Sequence, residues 1–122
     1  MSTLLIVDDS RTSRKLLRII VEGLGFDNIV EAANGLEGVE LYREYKPDLV
    51  TLDITMPELD GIGALAQIME FDKGAKVVMV SASAQNSKVV EALKLGAIDF
   101  IPKPYEDQFV IEHLKRAGEM GK

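Results

Sequence analysis

Apolar and polar positions along this chain follow two periods, and the switches between them divide it into alternating short and long segments. Leu4-Leu5-Ile6-Val7 is an unbroken apolar run that stops at Asp8-Asp9. A short run of this kind reads as a buried strand. From Arg11 the period lengthens: Leu17, Ile20, Val21 and Leu24 fall on one helical face, and Gly25 supplies a stop. Asp27 to Ala32, with Ile29 and Val30, is a weaker strand. Asn34-Gly35 marks a turn, and Asn34 with Glu37 has the form of a capping box. The helix it opens carries Val39, Leu41, Tyr42 and Tyr45. It ends before Pro47, because the residue before proline avoids the α region.

Leu49-Val50-Thr51-Leu52 leads directly into Asp53, and the stretch from Ile54 to Gly61, with its Pro, Asp and Gly, reads as a loop. Ile62, Leu65, Ile68 and Met69 mark a third helix that ends near Lys73-Gly74, with Asp60 as its cap. Val77-Val78-Met79-Val80 is a clean strand that stops at Ser81. A fourth helix runs from about Gln85 to Leu95, with Val89, Val90 and Leu93 inward and Gly96 as its stop. Ile98 to Ile101 is the last strand, followed by Pro102-Lys103-Pro104. A final helix carries Phe109, Val110 and Leu114, and the tail after Arg116 frays.

Strict β-α alternation with apolar strands predicts an α/β fold: a five-stranded parallel sheet with five helices covering both faces. Right-handed crossovers leave few windings. Among known arrangements of such a sheet, the flavodoxin-like order 2-1-3-4-5 is the expected one. Pro102 agrees with it, since proline in a sheet belongs at an edge or a strand end.

Composition narrows the class. A length of 122 residues suits one domain, spanning 1–122, and 47% apolar with 28% charged residues is a globular balance. A net charge of −6 argues against a nucleic-acid surface and favours a cation pocket. With no cysteine there is no disulfide framework, thiolate metal site or thiol nucleophile. No signal peptide or membrane span precedes Asp8, so a cytoplasmic location and no membrane partner are expected.

Each strong strand ends in a polar residue: Asp8 and Asp9, Asp53, Ser81, Lys103. In a parallel sheet those ends share one rim, where ligands bind at the switch point between the first and third strands. Converging carboxylates would repel one another unless a cation joined them. Mg2+ suits a few carboxylates, waters and a phosphate oxygen. Lys103 and Ser81 suit phosphoryl oxygens, which leaves Asp53 as a carboxylate nucleophile able to form an acyl phosphate. Taken singly, Asp8-Asp9 reads equally well as a pair of acids at a helix N-terminus, and Asp53 as a loop acid. Only the set is specific. His113 reads as a solvated surface histidine among charged neighbours. Gly61-Ile62-Gly63-Ala64-Leu65-Ala66 matches a dinucleotide fingerprint in letters, but it follows its strand too late and lacks the later acid.

From Leu4 to about Arg116 the chain resembles the receiver domains of two-component response regulators, especially the stand-alone CheY-like type. The resemblance rests on Val7-Asp8-Asp9, Asp53-Ile54-Thr55-Met56-Pro57-Glu58-Leu59-Asp60-Gly61, Ser81-Ala82 and Lys103-Pro104. It implies that Asp53 accepts a phosphoryl group from a phosphohistidine on a sensor histidine kinase. It also implies that Asp9, Asp53 and the backbone carbonyl of Thr55 bind Mg2+, with Asp8 helping through water, and that Lys103 and Ser81 contact the phosphoryl oxygens. Lys103-Pro104 would be cis. On phosphorylation Ser81 would move towards Asp53, and Phe100 would turn inward as the switch aromatic. Ser81 stands where threonine is more usual, and Phe100 lacks the hydroxyl of tyrosine. Thr55 and Ser83 match positions that tune the lifetime of the acyl phosphate.

The implied protein is a monomeric signalling switch that phosphorylates itself from a donor, loses the phosphate slowly and turns over no external substrate. Its message leaves by binding a downstream target on the face of the fourth helix, fifth strand and fifth helix. Chemotaxis, with a flagellar motor switch as target, is the leading setting; a phosphorelay intermediate is the alternative. A phosphatase with an aspartyl-phosphate intermediate would carry a second acid two residues after the nucleophile, where Thr55 stands. A flavodoxin-like electron carrier would need a hydroxyl- and glycine-rich phosphate loop in place of Asp8-Asp9.

Overall fold

The computed structural model describes residues 2–82 and 86–119, apart from the side chains of Asn86 and Glu119. The apolar runs form five parallel strands: β1 (Thr3–Val7), β2 (Asn28–Ala32), β3 (Leu49–Leu52), β4 (Val77–Ser81) and β5 (Asp99–Pro102). Between and after them lie α1 (Arg11–Glu22), α2 (Gly35–Tyr45), α3 (Gly61–Phe71), α4 (Asn86–Leu95) and α5 (Asp107–Glu119). The order across the sheet is β2-β1-β3-β4-β5, as expected. Pro102 closes β5 at the sheet edge, in register with Ser81, so its missing N–H costs no ladder bond.

The pleat sends alternate side chains to opposite faces, and two core clusters result. Leu5, Val7, Val50, Leu52, Val77 and Met79 pack with Val39 and Tyr42 of α2, Leu65 and Ile68 of α3 and Ala92 of α4. Leu4, Ile6, Leu49, Val78, Val80 and Ile101 pack with Leu17 and Val21 of α1 and Val110 and Leu114 of α5. Both caps read from the sequence are present. Asn34 Oδ1 accepts from Glu37 N at 2.8 Å, Glu37 reaches back to Ala33 N at 2.6 Å, and Asp60 Oδ1 accepts from Gly63 N at 2.8 Å. Among the described residues, no helix is long and apolar enough to cross a membrane.

Several expectations need correction. Val90 and Leu93 of α4 are 47% and 48% exposed, while Ala92 is the residue buried beneath that helix. Alanine carries little weight in a pattern of larger apolar residues, so the buried stripe lies further round the helix than that pattern predicts. Tyr45 and Phe109 are exposed as well. α1 ends at Glu22 with Gly23 as its cap, and Leu24 and Gly25 (φ +87°) belong to the following turn. α5 continues past Arg116 because Ala117 is buried in the core and Lys76 Nζ donates to the Gly118 carbonyl at 3.4 Å. The start placed near Gln85 and the tuning position Ser83 lie outside the described residues.

Candidate functional site

The sheet ladder carries its polar termini to one rim. Asp8 N donates to Ala32 O at 3.1 Å and Asp53 N to Val7 O at 3.0 Å, so the ends of β1 and β3 stay paired one residue beyond the strands. Lys103 N donates to Ser81 O at 3.0 Å, which extends the pairing of β4 and β5 past Pro102. The Lys103-Pro104 peptide is cis. Asp8, Asp53 and Ser81 are buried, whereas Asp9 is exposed.

Carboxylate oxygens of Asp8, Asp9 and Asp53 lie within 4.8 Å of one another. Lys103 Nζ, from the segment after β5, bridges two of them, reaching Asp8 Oδ2 at 2.6 Å and Asp53 Oδ2 at 3.2 Å. Burial opposes the charged ammonium, yet the hydrogen bonds and negative charges of Asp8 and Asp53 together outweigh it and hold the Lys103 pKa above the usual lysine value. Ser13 Oγ, on the first turn of α1, stands 3.4 Å from the same ammonium. The other oxygens of the two buried acids are also occupied: Asp8 Oδ1 accepts from Ser10 N at 2.8 Å and Asp53 Oδ1 from Ile54 N at 2.7 Å.

The loop after Asp53 is pinned at both ends. Ile54 and Met56 are buried in the core, and Gly61 N donates to Ile54 O at 2.7 Å. A Cβ at Gly61 would sit 1.9 Å from the Asp53 carbonyl oxygen, so the start of α3 packs directly on the backbone of the acidic residue. This close approach, and not a nucleotide, accounts for the glycine in the dinucleotide-like stretch.

The residues nominated from the sequence divide clearly. Asp8, Asp9, Asp53 and Lys103 form one connected cluster, with Ser81 at the same rim. Thr55 is exposed in the adjoining loop. Phe100 lies on β5 opposite Met79 and packs, partly buried, against the core on the α2–α3–α4 side. His113 is not a solvated histidine. Its Nδ1 lies 2.5 Å from Asp99 Oδ2 of β5, and its ring stacks on Phe109 with centroids 4.1 Å apart.

One group was missed. Arg14 of α1 donates through Nη1 to the Asp8 carbonyl at 2.7 Å and through Nε to Glu31 Oε1 at 3.1 Å. Arg18 Nη1 donates to Glu31 Oε2 at 2.8 Å. The available signal was Glu31 itself, an acid between Val30 and Ala32 in a strand, together with Arg14 and Arg18 four residues apart on one helix.

Three carboxylates set against one ammonium leave an excess of negative charge in a hard oxygen cluster. That donor set fits a hard divalent cation such as Mg2+, which takes a few carboxylates and completes its shell with water or phosphate oxygen. Buried carboxylates joined to an ammonium also suit the binding and transfer of a phosphoryl group, which needs alignment and neutralisation of its oxygens.

Residues 4–115 match the response regulator receiver domain family. A chemotaxis protein CheY of Listeria monocytogenes is 53% identical over 119 residues, covering 98% of this chain and 100% of the relative. A chemotaxis protein CheY of Thermotoga maritima is 47% identical over 115 residues, covering 94% and 96%. Among solved structures, a chain of the CheX-CheY-BeF3-Mg2+ complex from Borrelia burgdorferi superposes with a TM-score of 0.90 at 44% identity, covering 94% of this chain and 87% of its own length.

Proposed function

This chain belongs to the response regulator receiver domain family, and on that premise we propose that it is a phosphorylation-activated switch in chemotaxis whose phosphoacceptor is Asp53. One observation carries the assignment of the acceptor: the buried Asp53 carboxylate shares Lys103 with Asp8 at the centre of the acidic cluster. Asp53 attacks the phosphorus of a phosphohistidine on a sensor histidine kinase, and the imidazole nitrogen leaves with the bonding pair. Asp9, Asp53 and the backbone carbonyl of Thr55 would hold Mg2+, with Asp8 helping through water. When bound, the ion neutralises charge on the transferring oxygens. Lys103 would do the same, and its ammonium, 3.2 Å from Asp53 Oδ2, supports that role.

Ser81 and Phe100 read the event. The added charge on Asp53 draws the Ser81 hydroxyl towards it, and Phe100, on the strand beside β4, turns into the space released. The altered face then binds a downstream protein, such as a flagellar motor switch component. Support for a protein partner comes from the complex of CheX with the related CheY of Borrelia burgdorferi. Thr55, two residues past the acceptor, has no carboxyl group to act as general acid or base, which supports a switch over a phosphatase.

The test uses a small acyl-phosphate donor with Mg2+ and mass spectrometry of the intact protein. The wild type gains one phosphoryl group, and Asp53→Asn gains none while keeping its fold. Uptake by Asp53→Asn at the wild-type level would move the acceptor elsewhere. Multiple turnover on phosphomonoesters would make the protein an enzyme instead.

A further inference from the structure

Arg14 belongs to no part of the phosphoryl chemistry, yet it is one of the best-held side chains near the site. It is only 15% exposed, and its two bonds, to the Asp8 carbonyl and to Glu31, run in different directions. Glu31 is itself anchored, since its second oxygen takes Arg18, and Arg18 also donates to the Ile29 carbonyl at 3.3 Å. The guanidinium is therefore fixed between β2 and the end of β1.

The Asp8 carbonyl is half of the Asp8–Asp9 peptide, and a peptide is a rigid plane. Holding that oxygen sets the direction in which Asp9 leaves the backbone. The acids differ in how much they depend on this. Asp8 has both carboxylate oxygens bonded, to Ser10 N and to Lys103. Asp9 is exposed, and among the described residues its carboxylate takes no hydrogen bond, so its place in the cluster rests on the backbone.

We propose that Arg14 is a positioning residue for the divalent cation: by clamping the Asp8 carbonyl against Glu31 it presents the Asp9 carboxylate to the ion. The proposal rests on the reading of the acidic cluster as a Mg2+ site. It runs against simple electrostatics, which separates the two ideas cleanly. Removing a positive charge beside a cation site should tighten cation binding by Coulomb attraction alone. Removing a positioning group should weaken it, as the loss of outer-shell partners of metal ligands does.

The measurement is calorimetric titration of the phosphate-free protein with MgCl2 alone. Arg14→Met, which keeps the apolar stem of the side chain, binds Mg2+ about tenfold more weakly than the wild type. Unchanged or tighter binding overturns the proposal. Arg14→Lys keeps the positive charge and gives up the forked hold on the Asp8 carbonyl and Glu31; it weakens binding by a smaller factor and decides the matter alone if Arg14→Met fails to fold. Equal affinity of Arg14→Lys and wild type then counts against the clamp. A wild type that binds no Mg2+ would sink the reading of the cluster itself, an outcome distinct from a wild type and variant that bind equally.

Discussion

Tyr42 joins two roles in one side chain. Its ring is buried in the core and meets Phe71 edge-on at 6.3 Å, while its hydroxyl donates to Asp72 Oδ2 at 2.8 Å. Burial, with the hydrogen bond and negative charge of Asp72, pushes its pKa well above the usual tyrosine value. Below that usual value both folded and unfolded chains keep the proton, and the contribution to stability is complete. As pH rises beyond it the unfolded chain ionises first, so stability falls until the folded pKa is passed. Tyr42→Phe is accordingly expected to cost about 1–2 kcal/mol at neutral pH. The gap between the two proteins should close as pH climbs past about 10, measured by urea denaturation. Taking the difference between the proteins removes the separate alkaline loss from Lys103, whose raised pKa acts in the same direction. A gap that stays constant with pH would show that the hydroxyl is not coupled to Asp72. His113 teaches the complementary lesson. Its sequence neighbours are charged, but its actual partner, Asp99, comes from β5. No local pattern could have supplied that contact.

At the scale of elements, α3 is the piece whose position matters most to the site. Its cap, Asp60, and its apolar stripe were legible in the sequence, because both depend on neighbours a few residues away. Its seating against Asp53 was not. A Cβ at Gly61 would meet the Asp53 carbonyl carbon and the Ile54 Cα as well as the oxygen, all backbone atoms that cannot rotate aside. Gly61→Ala should cost about 3 kcal/mol or more, at the upper end for overpacking, and should reduce phosphoryl uptake by displacing Asp53. Chemical denaturation and the donor assay test both parts. A stable variant with normal uptake would mean that the helix start shifts freely. α4 shows where pattern reading fails: its fully buried contact is a small residue, Ala92, while Val90 and Leu93 face outward.

At the scale of the molecule, the acidic cluster is a local cost of folding that a cation can offset. Asp8, Asp9 and Asp53 are brought within 4.8 Å by the sheet, and a single lysine bridges only two of them. An ion that binds only the assembled cluster stabilises the folded chain by mass action, about 2.7 kcal/mol at a hundred times its Kd. Added Mg2+ should therefore raise the melting temperature of the wild type and leave that of Asp9→Asn nearly unchanged, and chelation should reverse the rise. An equal rise in both proteins would place the ion outside this cluster. Scanning calorimetry at fixed ionic strength distinguishes the specific effect from general screening of a chain with net charge −6.

The sequence by itself determined the alternation of strands and helices, the caps at Asn34 and Asp60, and the polar residues that end each strand. These follow from short-range periodicity and local hydrogen bonding, which a linear chain displays directly. It also nominated Asp8, Asp9, Asp53 and Lys103, because parallel strands must share a rim. Only the tertiary structure decided which charges meet there. Lys103 reaches across to Asp8 and Asp53, Arg14 holds the backbone beneath Asp9, and Gly61 lets α3 lie on Asp53. Each of those contacts joins elements distant in sequence, and their distances are set by how helices pack on the sheet, which no residue pattern encodes along its own segment.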